Sequence, residues 1–385
     1  MTDWLVRAEA LAPRVAAAAD EIERERRLPP ALVAALHEAQ LYRMLLPRSL
    51  GGGELDPPSF TRVIETIAAA DASTAWCLCQ NNVASIVAAW LPADSAREIF
   101  GPGDAVLAWG PGPARADKVP GGYRVTGSWS FASGGRHATW LGAHCPVFDS
   151  DGKQVCDAAG VPVERTMLFP ASAAPLRDIW HVVGLRGTAS DAYEVKDLFV
   201  PERFSVIRDV PDGRRETGPL YLMTTHLLFA GGFAAVALGL ARSLLDALVA
   251  LVREKTPRGH RGKLRDSAAT QTDIAVAEAR WRAARMYLYG TIEEAWRDVR
   301  RAGGFTMAQR MAIRLAATHV IHEAVAVADF AYHAAGASAI FDSAPFERRF
   351  RDIHALAQQV QARRSHYETV GRHLLGFADS DLQFL

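Results

Sequence analysis

Two short segments hold residue types that could bind a ligand or do chemistry. In Trp129-Ser130-Phe131-Ala132-Ser133-Gly134 an indole, two hydroxyls and a glycine turn sit beside a strand-like stretch. A flat apolar ring with hydroxyls alongside can cover one molecule and hydrogen-bond it. The flanks, Tyr123-Arg124-Val125-Thr126-Gly127-Ser128 and His137-Ala138-Thr139-Trp140-Leu141-Gly142, alternate apolar and polar residues between glycines, as paired antiparallel strands do. Taken alone, the segment also fits a buried ring with satisfied hydroxyls. The second segment, Gly184-Leu185-Arg186-Gly187-Thr188-Ala189-Ser190-Asp191, sets small and hydroxyl residues around one arginine. It runs into Tyr193-Glu194-Val195-Lys196-Asp197-Leu198-Phe199-Val200-Pro201, which alternates at period two and ends at a proline.

Other chemistries lack their motifs. No G-x-G-x-x-G follows a strand, and neither a phosphate-binding P-loop nor a G-x-S-x-G elbow occurs. His319 and His322 share a helical face, but no cysteine or acidic cluster completes a metal site, so no metal is expected. The pair Asn81 and Asn82 interrupts an apolar helix, which is costly unless both amides are bonded. A pocket-facing role and an internal helix–helix bond both meet that demand. Cys77, Cys79, Cys145 and Cys156 lack zinc-finger spacing and read as buried reduced thiols.

The elements that would position these residues fall into three regions of the 385-residue chain. Residues 1–115 read as a helical domain, broken at Pro29-Pro30, Gly51-Gly52-Gly53 and Pro57-Pro58. Residues 116–220 hold the strand-like alternation, with turns at Gly121-Gly122, Asp151-Gly152 and Asp212-Gly213. Residues 221–385 read as a four-helix bundle, with helical runs over 233–253, 269–300, 306–336 and 348–375. The balance of 43 basic and 43 acidic residues favours neither nucleic acid nor an anionic membrane. No signal-like segment and no run of membrane-spanning length is read, so a cytoplasmic location is expected.

The two segments, in this order and spacing, resemble the middle β-domain of the acyl-CoA dehydrogenase superfamily of flavoproteins. The likeness runs from Leu28-Pro29-Pro30-Ala31-Leu32 to Tyr367-Glu368. It implies an α+β fold: an N-terminal α-helical domain, a central antiparallel β-barrel-like domain and a C-terminal four-helix bundle, assembled as a homo-oligomer, a tetramer or a dimer. On this resemblance Trp129 covers the flavin ring, Ser130 bonds its pyrimidine or N5 edge, Ser133 approaches N5 and C4a, and Arg186 and Ser190 lie near substrate or phosphate. Arg186 fits a paired structural cation equally well. Gln271 matches a glutamine near the cofactor phosphates, downstream of the cations in Arg253-Glu254-Lys255-Thr256-Pro257-Arg258-Gly259-His260-Arg261-Gly262-Lys263, which also read as a solvated loop. FAD and FMN both remain open.

Dehydrogenases of this kind need a glutamate base, and neither usual position carries one. The first falls at Gln359-Val360-Gln361 beyond Arg351-Asp352, and the second near Phe229, counted back from Leu238-Gly239. The chain more closely resembles the oxygenase components of two-component flavin monooxygenases, through the segments above, Ala334-Ala335-Gly336-Ala337-Ser338-Ala339-Ile340-Phe341 and Phe350-Arg351-Asp352-Ile353-His354. In that branch, reduced flavin from a separate reductase meets O2, and the resulting C4a-hydroperoxide oxygenates a small aromatic or heterocyclic substrate. A histidine common there is Gln359 here, which can anchor but not titrate; His354 is the alternative. Ser133, Gln359 and His354 are thus the catalytic candidates, with Asn81, Asn82 and Phe229 the candidate pocket. A thioester dehydrogenase with a displaced base such as Glu368, and a non-catalytic flavin-fold binding protein, are the competing readings.

Overall fold

The computed structural model describes residues 3–158, 160–210, 213–259 and 261–377. Asp212 and His260 lie outside the described residues. The chain opens with five helices: α1 (Asp3–Glu25), α2 (Pro30–Glu38), α3 (Pro57–Ala70), α4 (Ala72–Ser85) and α5 (Ala93–Phe100). Pro57 and Pro58 begin α3, where a missing N–H costs nothing, and Asp56 caps it by accepting from Ser59 N. A single residue, Asp71, separates α3 from α4. Its carboxylate accepts from Thr74 N at 2.7 Å and starts the second helix.

The sheet follows, with β1 (Leu107–Trp109), β2 (Ala114–Val119), β3 (Gly122–Ala132), β4 (Trp140–Phe148), β5 (Glu164–Pro170), β6 (Asp191–Pro201) and β7 (Ser205–Val206). Their order is β6-β3-β2-β4-β5-β7, with β1 paired to β4. Two expectations change here. Strand pairing begins at Leu107, ahead of the boundary expected at 116. The sheet is also mixed, because β4 runs parallel to both β1 and β2 while the other pairs are antiparallel. Alternation along one strand reports which face is buried, not the direction of its neighbour.

The C-terminal region contains α6 (Thr225–Glu254), α7 (Ala268–Ala302), α8 (Met307–Ala335), α9 (Glu347–Leu356) and α10 (Ser365–Leu374). The run expected as one fourth helix is two, divided by the 3-10 turn Val360–Ala362. Helix α6 has the length and apolarity of a membrane span, contrary to the sequence reading, and it packs against α3, α4 and α8. A helix covered on several sides is apolar all round for that reason. Cys156 is exposed, whereas the other three cysteines are buried.

The crossing of α6 over α3 depends on Gly239. A Cβ there would lie 2.3 Å from Glu65 O and 2.9 Å from Ala69 N, both backbone atoms that cannot turn aside. Elsewhere in a helix, Gly→Ala gains up to about 1 kcal/mol. Here Gly239→Ala should instead lower unfolding stability by about 1–3 kcal/mol, read from the denaturant midpoint; a stabilised variant would show that the helices are not in contact at this point.

Candidate active site

A bulge in β3 decides which aromatic ring faces outward. Trp129 pairs with Tyr193 and Ala132 with Asp191, so three steps on β3 meet two on β6. Phe131 takes the extra position at φ 62°. Its ring turns out of the sheet, 58% exposed, and meets Trp180 edge to face at 5.8 Å. Trp129 goes inward instead. It is 1% exposed and stacks on Tyr193 at 5.2 Å, so it cannot cover a ligand on the open side. The outward ring of this strand end is thus Phe131, not the Trp129 expected from the sequence. Ser130 stays half-buried, its N–H donating to Pro111 O at 3.0 Å.

The two sequence segments meet through hydroxyls. Trp76 Nε1 donates to Ser133 Oγ at 2.9 Å. Ser133 Oγ lies 2.7 Å from Ser190 Oγ, which lies 2.7 Å from Thr188 Oγ1. Thr188 Oγ1 then donates to Leu185 O at 2.9 Å. The backbone of the same turn is fixed as well. Gly134 N donates to Thr188 O at 2.9 Å, and Asn81 Nδ2 donates to Ser133 O at 3.2 Å and Leu107 O at 3.0 Å. Asn81 Oδ1 is buried without a partner. Gly134 adopts φ +74°, and a Cβ on it would sit 2.5 Å from that oxygen. Beside it, burial pushes the His137 imidazole down to about 3, so it is neutral, and its Nε2 bonds Tyr42 OH at 3.0 Å.

An aromatic stack borders the other side of Trp76. Its ring lies 3.9 Å from that of Phe233, which in turn stacks on half-buried Phe229 at 5.5 Å. Phe229 and Phe233 are one helical turn apart on α6, the spacing that places two rings side by side. Neither Trp76 nor Phe233 was singled out from the sequence, where each reads as one more apolar residue of a buried helix.

Leu185 terminates the hydroxyl series and is held from both sides. Its N–H donates to Asp352 Oδ1 at 2.6 Å, and its carbonyl accepts from Trp180 Nε1 at 3.0 Å as well as from Thr188. Phe131, Leu185 and Ala189 are all non-glycine residues in the left-handed region, at φ 62°, 51° and 45°. Such strain, about 1–3 kcal/mol per residue, persists only where the surroundings enforce it, and it gathers at functional sites. Burial pushes the Asp352 carboxyl up to about 7, opposed by the Leu185 N–H and reinforced by Asp71 and Glu23. Arg186 reaches towards α1, its Nε 3.7 Å from Glu23 Oε1, and Arg351 Nη1 binds the same carboxylate at 2.9 Å. That is the structural pairing of Arg186 foreseen as its alternative role.

Other candidates sit outside this cluster. Asn82 accepts from Met44 N at 2.9 Å and donates to Leu41 O and Leu78 O. Its amide is consumed in pinning the 41–45 loop to α4, which corrects the pocket-facing expectation. His354 Nε2 bonds Asp329 Oδ1 at 2.9 Å between α9 and α8. Gln359 Oε1 accepts from Gln361 N at 2.8 Å, capping the 3-10 turn, while its Nε2 is buried without a partner. Neither residue joins the hydrogen bonds of Ser133. Gln271 is exposed at the start of α7, donating to Arg265 O at 2.9 Å. Among the nearby cations, Lys255 Nζ holds Ala335 O at 2.6 Å and Lys263 Nζ pairs with Glu254 at 2.6 Å.

This arrangement fits a flavin ring. Phe131 and Trp180 meet edge to face and present an apolar surface to a planar heterocycle. Gly110 lets its backbone lie against the Ser130 carbonyl, where a Cβ would come within 1.8 Å. Ser133 supplies a polar contact, and Asn81 leaves an acceptor unused. Among the described residues, no group of three His, Cys, Asp or Glu could hold a metal.

The Asp352–Leu185 bond has a pH signature. The folded carboxyl titrates near 7 and an unfolded one near about 4. The folded chain therefore holds an extra proton between these values, and the stability this group contributes is full below about pH 4 and lost as pH rises through about 7. Asp352→Asn keeps the acceptor oxygen and removes the titration. The stability of the wild type minus that of the variant should fall by on the order of a few kcal/mol from pH 4 to 7, measured by denaturant unfolding across that range. A flat difference would refute the assignment.

Comparison with known proteins agrees with this geometry. Residues 6–92 match the N-terminal domain of acyl-CoA dehydrogenase and residues 231–364 its C-terminal domain, together more than half of the chain. An indole-3-acetate monooxygenase of Pseudomonas putida is 29% identical over 92% of this chain and 89% of its own length. The crystal structure of 3-HSA hydroxylase from Rhodococcus sp. RHA1 superposes with a TM-score of 0.90 at 27% identity, covering 99% of each chain. XiaF from Streptomyces sp., solved in complex with FADH2 and glycerol, has a TM-score of 0.90 at 25% identity, covering 98% of this chain and 96% of that one. The strained hydroxyl turn beside an outward aromatic wall, the helices on both flanks of a mixed sheet and these matches have one conclusion: the chain belongs to the acyl-CoA dehydrogenase superfamily, among the oxygenase components of flavin-dependent monooxygenases.

Proposed function

We propose that this protein is the oxygenase component of a two-component monooxygenase. It takes reduced FMN or FAD from a separate reductase and uses it with O2 to place one oxygen atom on a small aromatic or heterocyclic substrate. The observation that carries this reading is the occupation of every buried acid around the site. Asp352 accepts from Leu185 N, Asp71 caps α4, and Asp191 is bound by Arg136 at 2.6 Å. Glu368, the displaced base of the dehydrogenase alternative, is exposed on α10. A proton-abstracting carboxylate must reach the substrate, whereas the partners of Ser133 are the Trp76 indole, the Asn81 amide and the Ser190 hydroxyl.

The bound flavin supplies electrons to O2; the protein's residues position, shield and hydrogen-bond. Phe131 and Trp180 present the flat apolar wall, with Ser133 at the N5 edge and Ser190 behind it. The Trp76–Phe233–Phe229 stack gives a planar substrate a surface of matching shape and excludes water. The indole-3-acetate monooxygenase relative has an aromatic compound in its name, in keeping with such a pocket. Candidates Gln359 and His354 lie on the last helical segments, and a catalytic part for either requires closure of that region on the substrate. Ser130, Arg186 and Gln271 remain proposed cofactor contacts of lesser weight, Gln271 across a subunit boundary. A cytoplasmic location belongs to the same proposal.

Homo-oligomerisation, as a tetramer or a dimer, is part of this reading. On α7, Val276, Ala279, Ala283, Met286 and Gly290 repeat at alternating three- and four-residue spacing and are all exposed. Val276 is 60% and Met286 65% exposed. Such a seam of small and apolar side chains suits a second helix packed along it.

Two measurements test the proposal. Anaerobic mixing of the protein with reduced FMN or FAD, then an O2 pulse, should delay the return of the oxidised-flavin spectrum relative to free reduced flavin. Return at the free rate, or bleaching of bound oxidised flavin by an acyl thioester, would replace the oxygenase reading with one of its rivals. Met286→Glu should shift the oligomer towards smaller species by light scattering, leaving helical content unchanged; an unaltered mass would exclude the α7 seam as the contact.

A further inference from the structure

The hydrogens of the Ser133–Ser190–Thr188 series can be assigned from its two ends. An indole N–H only donates and a carbonyl only accepts. Trp76 Nε1, at 2.9 Å, therefore makes Ser133 Oγ an acceptor, and Leu185 O, at 2.9 Å, makes Thr188 a donor. With its one hydrogen given to Leu185, Thr188 must accept from Ser190, and Ser190 must accept from Ser133. The opposite direction would set two lone pairs face to face between Thr188 Oγ1 and Leu185 O. Every hydroxyl hydrogen thus points away from Trp76 and into the protein. Ser133 keeps one unused group, a single lone pair.

We infer that this series, anchored on Leu185, fixes Ser133 as a hydrogen-bond acceptor and so makes the site select reduced over oxidised flavin. The inference rests on the reading above that Ser133 meets the N5 edge. Reduced flavin carries a hydrogen on N5 and can donate it to that lone pair; oxidised flavin has a bare N5 that needs a donor. To bond oxidised N5, Ser133 must turn its hydrogen outward. Ser190 Oγ, 2% exposed and enclosed with Thr188, then loses its only donor. An unsatisfied buried acceptor of this kind weakens binding about ten-fold or more. Ser190 and Thr188 are in this account specificity-determining positioning residues, acting through Ser133 without touching the ring themselves.

The selectivity is legible in binding alone. Full-length wild type, Ser190→Ala, Ser190→Thr and Thr188→Val would be titrated anaerobically with FMN and FAD, oxidised and dithionite-reduced, following intrinsic tryptophan fluorescence. Wild type should bind the reduced form at least about ten-fold more tightly. In Ser190→Ala the Ser133 hydrogen has no inner acceptor and turns to the ring, so the ratio should drop towards one. In Thr188→Val, which keeps side-chain shape, the Ser190 hydrogen loses its acceptor and turns to Ser133, with the same result. Ser190→Thr restores the hydroxyl and should restore the ratio. An unchanged ratio in both Ser190→Ala and Thr188→Val, with wild-type melting, would overturn the inference and leave the oxygenase reading standing. Failure of wild type to bind flavin in either state would overturn both.

Discussion

The hydrogen bond from Leu185 N–H to the Asp352 carboxylate is the constraint on which the site depends. It joins a residue on the loop before β6 to one on α9, and the carboxylate is almost fully buried there. A buried carboxyl is tolerated only where something compensates its lost hydration. Here the compensation comes from the Leu185 N–H and the charge of Arg348, and Leu185 holds a left-handed conformation. The Leu185 carbonyl then faces Trp180 and Thr188 together. The two backbone groups of this one residue thus link Asp352 to Trp180 and to the hydroxyl series.

Within that frame the protein separates burial from reach. Acids near the site are each committed to a cap, a peptide N–H or an arginine, so none is left to abstract a proton. Hydroxyls can exchange partners without a change of charge. They suit a site that must hold a reactive ring in one orientation and keep bulk water away.

Much of the fold was legible in the sequence. The break at Pro57-Pro58, the helical run starting at 306 and the period-two run into Pro201 each coincide with an element of the structure. Both segments that meet at the site stood out for their hydroxyls and glycines. What stayed hidden was set by distant partners. In a regular strand Trp129 and Phe131 share a face, and only the pairing with β6 shows that a bulge sends them to opposite sides. Asn81 and Asn82 are equivalent in sequence, yet one meets β1 and the Ser133 carbonyl while the other meets the 41–45 loop. The break between α9 and α10 likewise lacks a glycine or proline to announce it.

The span of chain closed by the Leu185–Asp352 bond bears on biosynthesis. The two residues are 167 positions apart, and a chain emerging from the ribosome carries Leu185, the sheet and the first five helices long before Asp352. Long-range contacts of this kind form late. Until α9 has been made and docked, Leu185 is held through its carbonyl by Trp180 and Thr188, while its N–H lacks the Asp352 partner. The Leu185–Asp352 contact is therefore completed only after the sheet and the first five helices have been made.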